Sequence, residues 1–176
     1  RRTRQQAIEY FKANAAKKVT ERAKLDLLEK TDINTYEGFK NIDPTFLRAK
    51  SDPKGEYCLP YAFGNVGIVY NRKVLGKDIT GWKDLIETVK AKNLKFTLLD
   101  DMREVMGVGL MLNGHSVNST DPAELQQAAD TVIAMKPYVA AFTYDSRPMV
   151  ASGDVAAAHF FVGAMIDVFG KPEDLG

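Results

Sequence analysis

Three observations in this 176-residue sequence predict an α/β layer sandwich with a buried sheet. Short apolar segments alternate with helical patterns from about residue 58 onward. Those segments are continuously apolar rather than alternating polar with apolar, the mark of strands covered on both faces. The helical patterns between them carry Asp or Gly starts and Gly stops. There is no internal repeat and no low-complexity segment.

Residues 1–28 read as a helix, with Ile8, Phe11, Ala15, Val19, Ala23 and Leu27 three to four apart and neither Gly nor Pro among them. Lys and Arg crowd the opposite face, but Glu9, Glu21, Asp26 and Glu29 interrupt it, so a solvated amphipathic helix is preferred over a membrane-surface one. Residues 30–57 hold Asp32, Asn34, Gly38, Asn41, Pro44, Pro53 and Gly55 and read as loops and short turns. Residues 58–70 read as a buried strand with Gly64 and Gly67 inside it, where glycine marks a bend or a close backbone approach.

From Thr80 the elements alternate. Trp82–Lys90 is a predicted helix with Leu85, Ile86 and Val89 inward, and Lys95–Leu99 a short strand. Met102–Leu112 is a helix stopped by Asn113-Gly114. Pro122–Met135 is the clearest helix: Asp121 caps it, Pro122 takes its first position and Glu124 completes a capping box. Val139–Tyr144 is a strand, Pro148–Ser152 a helical turn ended by Gly153, Val155–Val162 an apolar strand, and a further helix starts at Gly163.

Composition narrows the function. The 24 Lys+Arg and 23 Asp+Glu give a net charge of 24 − 23 = +1, so nothing argues for nucleic acid, whose ligands concentrate basic charge. With one cysteine there is no internal disulfide and no cysteine-rich zinc site. No apolar run reaches the ~20 residues that span a bilayer. The chain opens on Arg1-Arg2-Thr3-Arg4 without a signal-peptide pattern, as a mature exported protein also would.

The richest spot is Leu98-Leu99-Asp100-Asp101-Met102-Arg103-Glu104-Val105, where a strand feeds a helix. Ligands of open α/β sheets bind outside the carboxyl ends of strands. Asp101 and Glu104, three apart, share one helix face and suit an amine or a metal cation. The same Asp-x-x-Glu pattern is also a capping box that satisfies the helix's own N–H groups. Both readings stand. An acid/base pair is less favoured, because a helix N-terminus pushes both carboxyl pKa values down. Gly64-Asn65-Val66-Gly67 lacks the Lys and Ser/Thr of a phosphate loop and reads as a strand bend. His115 follows a helix stop and is expected exposed. His159, inside an apolar strand, is expected buried and hydrogen-bonded, and Cys58 a small core residue. Phe63, Trp82, Tyr144 and Phe161 have the chemistry to stack on a ligand, with the core as the commoner place for each. Asn118-Ser119-Thr120 fits a glycosylation sequon, a short and unspecific pattern. No nucleophile elbow, zinc-protease motif or Cys-His arrangement occurs.

Two of these blocks also look familiar. Leu59-Pro60-Tyr61-Ala62-Phe63-Gly64 with Ile68–Asn71 resembles the crossover strand of periplasmic polyamine-binding proteins, the spermidine/putrescine receptors of ABC importers. Leu98–Val105 resembles that family's strand–helix junction. Asn118–Pro122, Pro137–Phe142 and Ser152–Val155 follow in the family's order, and the match runs from about Leu28 to Gly163.

The resemblance implies a periplasmic-binding-protein-like (type II) α/β lobe, a three-layer α/β/α sheet with a partial second lobe. The chain then divides into an N-terminal helical segment (1–30) mostly outside the match, a partial first lobe and hinge strand (31–71), and a second α/β lobe (72–176). It further implies that Asp101 and Glu104 hold ligand ammonium groups and that Phe161, where the family usually has Trp, lies along the methylene chain. Phe63 is a second aromatic wall. The implied partners are a polyamine and an ABC permease, with no nucleic acid, no cofactor and no catalysis, in the periplasm, or extracellular and membrane-associated in a Gram-positive host. Relatives of this architecture carry other small solutes. An isolated lobe also exposes the face that meets its partner and would self-associate through it.

Overall fold

The computed structural model describes residues 28–47, 52–62 and 64–168, which fall in two compact units. The predicted helix at 1–28, the site candidate Phe63 and most of the helix from Gly163 lie outside the described residues or reach beyond them.

Residues 28–62 belong to the smaller unit and are built of turns, as their Pro, Gly and Asn content predicts. Three short 3-10 helices span Ile33–Thr35, Glu37–Asn41 and Pro44–Phe46. The buried Asp52 carboxylate gathers the backbone N–H groups of Glu56 (3.2 Å), Tyr57 (2.9 Å) and Cys58 (3.0 Å), replacing the ladder hydrogen bonds this loop lacks.

The larger unit holds a four-stranded sheet in the order β1-β4-β2-β3: β1 Val66–Tyr70, β2 Phe96–Leu98, β3 Val139–Phe142, β4 Ala157–Phe161. Strand β2 runs parallel to both β3 and β4, and β1 is antiparallel to β4, with Val66 opposite Phe161. Five helices connect them: α1 Arg72–Leu75, α2 Trp82–Ala91, α3 Met102–Leu112, α4 Pro122–Met135 and α5 Arg147–Ser152. A 3-10 turn, Val162–Val168, stands where a helix was expected.

Both faces of the sheet are covered, which explains the uninterrupted apolar strands. On one face Leu85, Ile86 and Val89 of α2, Val105 and Val108 of α3 and Met135 of α4 bury Phe96, Leu98 and Ala157. On the other, Val150 of α5 and Met165 bury Val69, Ala158 and Phe160. Ala157 and Ala158 are adjacent yet serve opposite cores, as the two-residue strand period requires. Helix α3 packs closely on α4. A Cβ placed on Gly109 would stand 2.6 Å from the Ala128 carbonyl oxygen, so the approach needs glycine.

Two sequence expectations fail. The strand begins at Val66, not at residue 58. Segment 58–62 is not strand; Cys58 is exposed rather than a core residue, and Tyr61 is fully exposed (101%). Apolar content in this stretch imitated a strand, but Leu59-Pro60 removes a ladder donor, and no partner strand lies beside it among the described residues.

Candidate functional site

The parallel order of β4, β2 and β3 sets three carboxyl ends along one edge of the sheet. Central β2 delivers Leu99, Asp100 and Asp101 there. Flanking β3 delivers Thr143 and Tyr144, and flanking β4 ends in Phe161.

Asp101 is the N-cap of α3. Its Oδ1 accepts the backbone N–H groups of Arg103 (2.8 Å) and Glu104 (3.1 Å), so the N-cap half of the expected capping box is realised, while Glu104 makes no return bond to the Asp101 N–H among the described residues. Both bonds go to that one oxygen. Among the described residues, Oδ2 has no hydrogen-bond or ion-pair partner, and neither has the half-buried Glu104 carboxylate. Burial raises the Glu104 pKa and the Asp101 charge adds to it, while Arg103 opposes both. The helix terminus was expected to lower both carboxyls; at Glu104 desolvation and a like charge win.

Two aromatic side chains stack on each other at this edge. Tyr144 and Phe161 lie nearly parallel, with ring centroids 6.4 Å apart and planes 14° from coplanar, each partly open to solvent (53% and 40%). Slight burial, then the charges of Asp101, Asp100 and Glu104, raise the Tyr144 pKa, so the phenol stands in the carboxylates' field. Two residues before Phe161, His159 is buried at 3% exposure and meets Trp82 edge to face at 5.2 Å. Its Nδ1 has no hydrogen-bond partner, contrary to the expected satisfied core histidine. Burial lowers its pKa to about 4 against the pull of Asp101. His115 is half-buried rather than exposed, with Nε2 2.8 Å from Gln127 Oε1 and Nδ1 3.4 Å from Glu124 Oε1.

The structure therefore brings Asp101, Glu104 and Phe161 to one edge. Sequence reasoning set Tyr144 among core aromatics. Its signal was position, two residues past the end of a strand parallel to β2. Among the described residues, no group of three or more His, Cys, Asp or Glu is arranged to hold a metal ion, and no helix is long and apolar enough to cross a membrane.

Comparison with known proteins agrees with this architecture. Residues 5–169 match the bacterial extracellular solute-binding protein family. The chain belongs to that family. It is 36% identical over 121 residues to the spermidine/putrescine-binding periplasmic protein of Salmonella typhimurium, covering 68% of this chain and 34% of that one. It is 31% identical over 157 residues to the putrescine/cadaverine-binding protein of Pseudomonas aeruginosa, covering 86% and 44%. Its fold superposes on the putative spermidine/putrescine ABC transporter structure from Listeria monocytogenes with a TM-score of 0.76 at 30% identity, covering 88% of this chain and 48% of that one. A Streptococcus pneumoniae spermidine/putrescine ABC transporter substrate-binding protein gives 0.69 at 28% identity, covering 98% and 56%. The expected periplasmic-binding-protein-like α/β lobe is thus borne out, and the chain spans less than half the length of these curated relatives.

Proposed function

We propose that this chain is part of the solute-binding component of an ABC-type polyamine importer. It holds an ammonium group of spermidine or putrescine with Asp101 and Glu104 and lays the methylene chain along Phe161. It acts by binding and release, without catalysis, and hands its ligand to a membrane permease. It works in the periplasm, or outside the membrane of a Gram-positive host. The observation that carries this reading is the pair of carboxylates, with Asp101 Oδ2 and Glu104 uncommitted, at the carboxyl end of β2 beside a stacked aromatic pair. A polyamine joins charged ends by an apolar middle and needs both kinds of surface. The relatives named for spermidine and putrescine binding support the ligand class.

Titration calorimetry with spermidine and putrescine tests it on the parent, Asp101→Asn and Glu104→Gln. Charge-assisted hydrogen bonds of about 1.5–3 kcal/mol predict an affinity loss of about tenfold or more for each variant. Equal affinities in all three proteins would refute the assigned roles.

A further inference from the structure

We propose that Tyr144 is a specificity-determining residue: with Phe161 it forms a two-ring platform beside Asp101 and Glu104 that selects ammonium ligands carrying an unbranched apolar spacer over compact cations. This rests on the polyamine reading above and deepens it.

Strand order supplies the first argument. β3 and β4 flank β2, so Tyr144 and Phe161 come from the two strands on either side of the one that leads to the carboxylates. Side-chain geometry supplies the second. Nearly parallel rings with centroids 6.4 Å apart leave too little room for a methylene chain to pass between them, so the chain lies across both. Ring faces attract an adjacent cation and cover the apolar carbons that follow it. Tyr144 stays partly exposed despite its stack, so its ring remains open to a ligand. Environment supplies the third. His159, on the same strand and two residues before Phe161, is almost wholly buried with an unpartnered Nδ1 and lies in the field of Asp101. A buried polar group without a protein partner is uncommon and calls for an explanation, which a polar ligand bound at this edge would supply.

The phenol oxygen adds chemistry that Phe161 lacks. It stands in the field of Asp101, Asp100 and Glu104, where its lone pairs can accept from an ammonium N–H. Tyr144 thus contributes a ring face and a hydrogen-bonding tip.

The test is calorimetry on the intact protein with diaminopropane, putrescine and cadaverine, and tetramethylammonium as the compact cation. Parent affinity is expected to rise with spacer length, with tetramethylammonium weakest. Tyr144→Ala should weaken putrescine and cadaverine about three- to tenfold and diaminopropane less than about twofold, flattening the series. Tyr144→Phe should keep the spacer dependence and weaken all three diamines by a common factor. Tyr144→Leu, which retains apolar bulk without a π face, should flatten the series as alanine does and stands in if alanine fails to fold. A Tyr144→Ala or Tyr144→Leu series parallel to the parent's overturns the proposal, and if Asp101→Asn still weakens diamine binding about tenfold or more, the polyamine reading survives. A parent that binds no diamine overturns both.

Discussion

Replacing His159 with leucine should remove most of the acid sensitivity of this protein between pH 7.5 and 4.5. Folding lowers the His159 pKa from the ordinary 6.5 to about 4, because its ring lies in the sheet against Trp82, where a charge is poorly solvated. Between those two values the unfolded chain takes up a proton that the folded protein refuses. Stability is therefore complete above 6.5, falls as the pH drops toward 4, and changes no further through this group below that. Linkage gives a loss of about 2.5 kcal/mol between about pH 7.5 and 4.5, a large part of the stability of an ordinary domain. The other shifted groups do not imitate this. Asp43, Asp52 and Asp84 have lowered pKa values, so their stabilisation is lost below the ordinary 3.8. Glu104 is raised and acts with the opposite sign, gaining stability as the pH falls through its folded value. All four persist in His159→Leu, so the difference between the two proteins isolates the histidine. The assay is urea unfolding followed by the fluorescence of the single tryptophan, Trp82, at both pH values. Parallel losses of stability in parent and variant would refute the reasoning.

Three further outcomes follow from the geometry. Gly109→Ala should destabilise by about 1–3 kcal/mol, because its Cβ meets the Ala128 backbone at 2.6 Å, whereas Gly107→Ala, whose nearest neighbour is a Val117 methyl at 3.9 Å, should gain about 0.5–1 kcal/mol of helix preference; thermal melts compare them. Asp101→Ala should lower stability by about 1 kcal/mol through the lost cap while Asp101→Asn, an equally good cap, keeps it, and denaturant midpoints beside calorimetry separate the cap from the charge. If a cation binds at Glu104, it lowers that raised pKa, so binding near pH 5 should release protons, seen as a dependence of the binding heat on buffer ionisation enthalpy that disappears in Glu104→Gln.

The layered fold was legible because burial on both faces of a sheet writes itself into the chain as uninterrupted apolar strands. Helix α4 was legible to the residue because Asp121 and Pro122 act locally at its start, although the expected capping box does not close: the Asp121 N–H donates to Ser119 Oγ, and Glu124 lies beside His115. Residues 58–62 misled because apolar content records burial in general and does not say which partner strand exists. His159 was legible as buried, but the missing partner of Nδ1 depends on the packing of Trp82, far away in sequence. Tyr144 was underrated for the same reason. Its neighbours, Phe161 and the β2 carboxylates, come from other strands, and only the order β4-β2-β3 brings them together.

Capping and ligand recognition looked like rival explanations of Asp101-x-x-Glu104, yet the chain contains its own control. Asp121-x-x-Glu124 opens α4 with the same pattern, and Asp121 Oδ1 accepts from Ala123 (2.7 Å) and Glu124 (3.2 Å) as Asp101 Oδ1 does from Arg103 and Glu104. A cap is therefore what this spacing produces wherever it starts a helix, and the cap alone distinguishes nothing. The two sites differ in what the glutamate does next. Glu124 lies 3.4 Å from His115, which ties it to its own surface. Glu104 is half-buried with a raised pKa, a like charge beside it and no partner among the described residues. A cap needs none of those features, and each of them makes the site less stable until a cation arrives. Since the cap occupies one oxygen of Asp101, the other is available at no cost to the helix. The same aspartate thus serves the fold and remains free for a ligand.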